Sequence, residues 1–276
     1  MASAILLAVG MAAGNASAAT TTSLPDHIVN GDFEYPTSMP SQQDENGKFW
    51  YISLQDNSWW ACKPAYATEK RPALPSGFDA SKFAWKSTQT GDTDWTNLER
   101  VGDVQIDTKG DGENHYSEIT AAQAGSTIYQ DVATVPGATY TWSLKHASLS
   151  SAYVDKMSVM IGEPGKETAQ QAYRETVNGN GDTVGSVGTT IATKVSNTDT
   201  DLLSGDIHAG QWETYTGKYV ATGTVTRFAF HSIEGGGKTT GEAYDGNLID
   251  DISFAVGYPL HYDLKGGSGT SPQQHD

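Results

Sequence analysis

The chain has 276 residues, with 17 Lys and Arg against 33 Asp and Glu, for a formal net charge of −16. Such an acidic surface repels phosphate backbones and anionic lipid, which argues against nucleic acid and membrane surfaces as partners. It can also supply carboxylates to Ca²⁺. The single cysteine, Cys62, rules out a disulfide within the chain and is expected to be a small semi-buried residue.

The N-terminus carries a short apolar run, Ala4 to Ala13, followed by the small-residue pattern Ala16-Ser17-Ala18. Both are features of a secretory signal peptide. The basic segment that normally precedes such a run is missing, and the first lysine is Lys48, so the start reads as truncated or miscalled. Residues 1–19 are therefore set apart from the fold. The run is too short for a bilayer, which takes about 20 apolar residues.

From Ile28 onward the sequence alternates with a period of two, the signature of half-buried strands. Tyr140, Trp142, Leu144 and His146 share one face of a strand, and Thr139, Thr141, Ser143 and Lys145 the other. Met157, Val159 and Ile161 repeat the pattern, as do Trp212, Thr214 and Thr216. Further strands are expected over 28–34, 49–54, 103–107, 116–120, 126–134, 188–195, 218–222, 225–233 and 248–256. Turn signals such as Pro136-Gly137 and Gly235-Gly236-Gly237 separate them. One segment reads as helix: Lys166 to Val177 holds good helix formers without alternation, between glycine-rich flanks. The expected fold is all-β, a jelly-roll β-sandwich of two antiparallel sheets with one short helical excursion, over residues 20–257. Residues 258–276 open a new strand-and-turn unit, YPLHYDLKGG, and then become linker-like.

Four motifs bracket and punctuate this domain: Asn30-Gly31-Asp32-Phe33-Glu34 at its opening, Tyr129-Gln130-Asp131-Val132 followed by Pro136-Gly137-Ala138-Thr139-Tyr140, then Trp212-Glu213-Thr214-Tyr215, and Ile249-Asp250-Asp251-Ile252-Ser253-Phe254 at its close. In this order they resemble the galactose-binding-like jelly-roll superfamily, especially carbohydrate-binding modules of the family 4 and 9 type. The resemblance covers roughly residues 28–256. The chain also looks like domains of large wall-anchored surface proteins of Gram-positive bacteria, and its tail resembles the opening of an internalin-type β-grasp repeat. The resemblance implies a secreted glycan-binding or adhesion module, a monomer within a longer cell-surface chain, whose partner is a glycan or a host surface protein. It further implies a structural Ca²⁺ held by Glu34 and Asp251, with Asp250 as the alternative.

Sugar recognition needs flat aromatic platforms beside groups that bond hydroxyls. Trp142 and Trp212 lie on alternating strands and are expected in the core, and Trp85 is ambiguous. Trp59, Trp60 and Trp95 lie in less regular stretches and are the platform candidates, with Tyr153 and Asp155 behind them at a strand end. Gln130 reads equally well as a structural hydrogen-bonder. No GxSxG, HExxH, SxxK or Walker pattern occurs, so the expected function is non-catalytic. Two alternatives remain: a stalk domain without a small ligand, which predicts buried tryptophans and no groove, and a glycosidase, which needs a carboxylate pair in a pocket.

Overall fold

In the computed structural model the alternation through Tyr140, Trp142, Leu144 and His146 becomes one long strand, with those four side chains turned into the core. The structure describes residues 24–39, 49–61, 71–90, 92–93, 99–108, 114–119, 124–196, 211–240 and 246–257. The signal-like segment and the 258–276 tail lie outside them. With strands numbered along the chain, the larger sheet has nine. Their order is β13 (Gly185–Gly188), β12 (Ala172–Arg174), β15 (Glu213–Val220), β9 (Thr139–Ser148), β17 (Asn247–Val256), β7 (His115–Glu118), β6 (Val104–Thr108), β1 (Phe49–Ser53) and β2 (Ser58–Ala61). The second sheet runs β11 (Thr168–Ala169), β10 (Lys156–Gly162), β16 (Val225–Glu234), β8 (Thr127–Ala133) and β3 (Lys86–Ser87), with β14 (Ile191–Ala192) also on β10. A small pair, β4 (Asp92–Thr93) and β5 (Glu99–Arg100), stands apart. All pairings are antiparallel, and the fold is an all-β jelly-roll sandwich.

The two sheets share one apolar core. Phe254 of β17 stacks on Tyr140 of β9 at 4.8 Å and on Phe228 of β16 at 5.0 Å, so aromatic rings tie the layers directly. Trp142 and Trp85 are both buried, which places them in the core. The opening motif is not the strand expected over 28–34. Asn30 and Phe33 take left-handed backbone angles (φ 55° and 53°), and the resulting turn drives Phe33 into the core against Trp85, at 5.2 Å. Trp85 Nε1 donates to the Asn30 carbonyl at 2.8 Å. Gln130 closes the same corner: its amide accepts from Val29 N and donates to Val29 O, a structural role. Gly31 has no alternative, because a Cβ there would lie 2.1 Å from the Ile252 carbonyl oxygen.

The helix expected over Lys166–Val177 is absent. The segment forms β11 and β12, the latter second in the large sheet, between β13 and β15. Ala172 and Arg174 turn inward while Tyr173 turns out, so the period is two after all; the arginine concealed it by reading as a polar position. Arg174 is the anchor. It donates to Tyr215 Oη (3.0 Å), the Thr183 carbonyl (3.1 Å) and the Ala192 carbonyl (2.7 Å), and it pairs with buried Glu213 at 2.8 Å. These tertiary bonds outweigh a helix propensity worth only tenths of a kcal/mol per residue. Among the described residues the one helix is α1 (Ala80–Phe83), capped by Asp79, and no helix is long and apolar enough to cross a membrane.

Candidate functional site

The outer face of the large sheet carries the polar half of each alternating strand. Register aligns Tyr173 of β12 with Thr216 of β15, Thr216 with Ser143 of β9, and Ser143 with Ser253 of β17. This row of one aromatic ring and three hydroxyls crosses a groove of about 430 Å³, further lined by Thr141, Glu175, Ser186 and Lys218. Ser143 and Ser253 hydroxyls bond each other at 2.7 Å, and Thr216 Oγ1 donates to Glu175 Oε1 at 2.8 Å. Tyr173 is 44% exposed, so its ring is available to a ligand. Beneath the groove, Gly217 is needed: a Cβ there would lie 2.3 Å from the Trp142 ring. The Trp142 Nε1 is buried without a hydrogen-bond partner.

The other end of the same face is built from similar chemistry and is closed. Tyr51 of β1 lies opposite Gln105 of β6, Gln105 opposite Glu118 of β7, and Asp107 opposite Tyr116. All five are at most 5% exposed. Gln105 Nε2 donates to both Asp107 Oδ1 (2.9 Å) and Glu118 Oε2 (2.6 Å). Asp107 Oδ2 is buried and unbonded, and burial pushes its carboxyl up to about 7. Two carboxylates thus meet on one amide nitrogen. The alternations Gln105-x-Asp107 and Tyr116-x-Glu118 carried that signal in the sequence, but their pairing across strands did not show there.

The sequence-derived platform residues fall elsewhere. Trp59 is 4% exposed and packs in the core, so its ring offers no platform. Trp60 lies opposite Tyr51 on β2, and its side chain is outside the described residues, as is Trp95. Tyr153 is 45% exposed and sits against Gly237, where an added Cβ would lie 2.7 Å from its ring, away from the groove lining. Asp155 is fully buried and structural: its carboxylate accepts from Gly236 N and Leu149 N. Sequence reading missed Tyr173 and Glu175 because both lay in the segment taken for a helix.

The termini of the domain do meet. Ile252 N donates to the Gly31 carbonyl at 2.9 Å. Glu34 Oε1 accepts from His115 N at 2.9 Å, and Asp250 Oδ2 lies 3.4 Å from the Nδ2 of the adjacent Asn114. Asp250 is buried, and burial with the neighbouring Asp251 charge raises it to about 7. Asp251 instead points to Lys145, with an ion pair of 2.5 Å. Among the described residues, no three His, Cys, Asp or Glu side chains converge as a metal cluster. Glu34 and Asp250 thus reach neighbouring residues, His115 and Asn114, and a Ca²⁺ between them would need main-chain carbonyls for most of its six to eight oxygens.

Fold and face together define an antiparallel jelly-roll with an open, hydroxyl-lined groove. No family model matches the chain, and no curated protein does. Among solved structures it is similar to a xylanase 10B fragment of Clostridium thermocellum, with CBM22-1 and GH10 modules in complex with xylohexaose. That match has 12% identity and a TM-score of 0.34, over 65% of this chain and 27% of that one, so the chain spans about a quarter of its length. It is also similar to a CBM4 structure (14% identity, TM-score 0.36, 83% of this chain and 99% of that one). A third is the N-terminal cellulose-binding domain of a Cellulomonas fimi β-1,4-glucanase (16% identity, TM-score 0.31, 64% and 91%).

Proposed function

We propose that this protein is a non-catalytic carbohydrate-binding module whose groove, floored by the Tyr173–Thr216–Ser143–Ser253 row, takes a glycan chain. The observation that carries the reading is the half-exposed tyrosine beside aligned hydroxyls in an open groove. A sugar ring offers a C–H face to the tyrosine and hydroxyls to Ser143 and Thr216, each able to donate or accept, and to the Glu175 carboxylate, which accepts. The carboxylate pair Asp107–Glu118 supports a non-catalytic role, because both groups are 2% exposed and a scissile bond needs access to them. Burial of Trp59 is what a stalk domain expects, but a groove is not, and the groove supports the binding module.

The proposal includes a structural Ca²⁺ at Glu34 and Asp250, with Asp251 beside it, holding the two ends of the domain together. It also includes a place on the outside of a bacterial cell within a longer surface protein, on the signal-like start and the resemblance of the motifs. The test is isothermal titration of soluble neutral oligosaccharides, xylohexaose and β-1,4-galactotriose among them, into the folded domain with and without EDTA. Saturable binding that Tyr173→Ala weakens about tenfold or more supports the reading. A folded protein that binds none across a broad glycan array overturns it.

A further inference from the structure

The six-stranded sheet carries a second cavity, of about 240 Å³, on the face turned away from the core. Its floor is one cross-strand row: Tyr129 of β8, Ala229 of β16 and Met160 of β10, successive register partners. The neighbouring residues of the same strands, Ile128 and Val132 on β8 and Phe228 and Phe230 on β16, are buried in the core, so this row faces out. On one side of the floor lies the Arg227–Asp131 pair, and on the other His231 beside Thr127. An aromatic, a methyl and a thioether therefore form an apolar strip between two polar rows.

The polar rows are held in place before any ligand arrives. Arg227 donates Nε and Nη2 to the two oxygens of Asp131 at 2.7 and 3.0 Å, and its guanidinium lies 4.0 Å from the Tyr129 ring centre. Glu167 Oε1 approaches the same Nε at 3.5 Å. Among the described lining residues Arg227 is the one cation, and two carboxylates already neutralise it, so an anionic ligand gains little here. His231 Nδ1 meets Thr127 Oγ1 at 2.9 Å, which fixes the ring, and burial holds the imidazole below its ordinary pKa and hence neutral at pH 7. A fixed neutral imidazole, a threonine hydroxyl and an arginine edge around an apolar strip suit a molecule with one apolar face and a rim of hydroxyls.

We infer that this cavity is a second saccharide site, sized for a single neutral sugar ring, on the opposite side of the sandwich from the groove. The groove has nearly twice the volume and takes a stretch of chain; this site takes an end or a side branch. The module is then bivalent across its thickness and can bridge two glycans, raising avidity without any new contact in the groove. The inference stands on its own lining residues and does not require the groove reading to hold.

The test is a ¹⁵N-labelled NMR titration with galactose, glucose and xylose, and separately with xylohexaose, on the wild type and on Tyr173→Ala, His231→Ala and Thr88→Trp. Thr88 is exposed at the rim, and tryptophan there fills the opening; the spectrum itself reports whether each variant is folded. The expected result is that Thr127, Tyr129, Ala229 and His231 amides shift with one of the monosaccharides, on an isotherm that Tyr173→Ala leaves unchanged. His231→Ala is expected to weaken it about tenfold, the effect of one lost hydrogen bond, and Thr88→Trp to abolish it. Shifts confined to the groove residues overturn the second site and leave the groove reading intact. Shifts confined to the second cavity support it and overturn the groove. A folded protein with shifts at neither place overturns both.

Discussion

The outer face of the nine-stranded sheet is open at one end and closed at the other, although both ends set tyrosines beside polar side chains. At the open end Tyr173 is half exposed over a row of hydroxyls that mostly bond one another. At the closed end, across five strand spacings or about 24 Å, Tyr51 and Tyr116 bury a glutamine and two carboxylates. The difference lies in what each end is asked to hold. Hydroxyls cost little when wet and can bond a sugar; two carboxylates closed from water need a shared donor and still leave one oxygen unsatisfied. Residue type alone does not separate an open polar groove from a buried polar cluster, and exposure does.

The largest expected effect is on the wall of the open end. Arg174 holds β12 in place through Tyr215, Thr183, Ala192 and Glu213. Arg174→Met leaves Glu213 buried without its ion-pair partner and should cost about 3–5 kcal/mol of stability. Urea denaturation measures this, and loss of oligosaccharide binding should accompany it because Tyr173 rides on the same strand. A change under about 1 kcal/mol would mean that β12 is held by its backbone pairing alone.

The closed end should respond to pH. The Asp107 carboxyl stands near 7 in the fold against an ordinary value of 3.8, raised by burial. The native state therefore keeps a proton that the unfolded chain releases, and stability falls as pH rises from about 4 to 7. Asp107→Asn removes that slope. The variant should match the wild type near pH 4 and exceed it by a few kcal/mol at pH 8, read from denaturation midpoints across the range. If the wild type is instead the more stable at pH 8, the carboxylate has a partner in solution, a bound cation being the first to test.

His146 tilts stability the other way, and somewhat less. It is fully buried between Thr193 Oγ1 (2.8 Å) and Asn247 Oδ1 (3.0 Å), and burial lowers it to about 4. The unfolded chain takes up a proton below about 6.5 that the fold refuses until about 4, so stability is present above 6.5 and is lost as pH falls through this window. The span is about 3 kcal/mol. His146→Gln should flatten the acid side of the profile while leaving the Asp107 slope intact.

Much of the fold was readable because core positions alternate without interruption: β8, β9, β16 and β17 fall within a residue or two of the expected strands. The reading failed where a long polar side chain serves the core. Arg174 and Glu213 are buried ionic anchors that look like surface residues in sequence, and so the β12 segment reads as helix there. The site was less legible for a related reason. Trp59 stood out by size, yet size and an irregular flank do not reveal that β2 turns it inward. Tyr173, Thr216, Ser143 and Ser253 stand out in no single segment, and only strand register brings four separate parts of the chain into one row.

The smallest expected change in stability is the sharpest probe of the two-ended face. Tyr173 touches the groove and is nearly half exposed, so Tyr173→Ala should move the unfolding free energy by no more than about 0.5 kcal/mol. Its effect on a bound oligosaccharide should be about tenfold or more, since ring stacking and the buried apolar area are lost together. Tyr116→Ala offers the contrast: Tyr116 is 4% exposed and packs edge-on against Trp212 at 5.5 Å. That variant should lose about 3 kcal/mol of stability with oligosaccharide affinity held in whatever fraction remains folded. If the two tyrosines exchange these behaviours, the glycan binds at the carboxylate end, and the groove over β9 and β15 is a surface feature of the sheet.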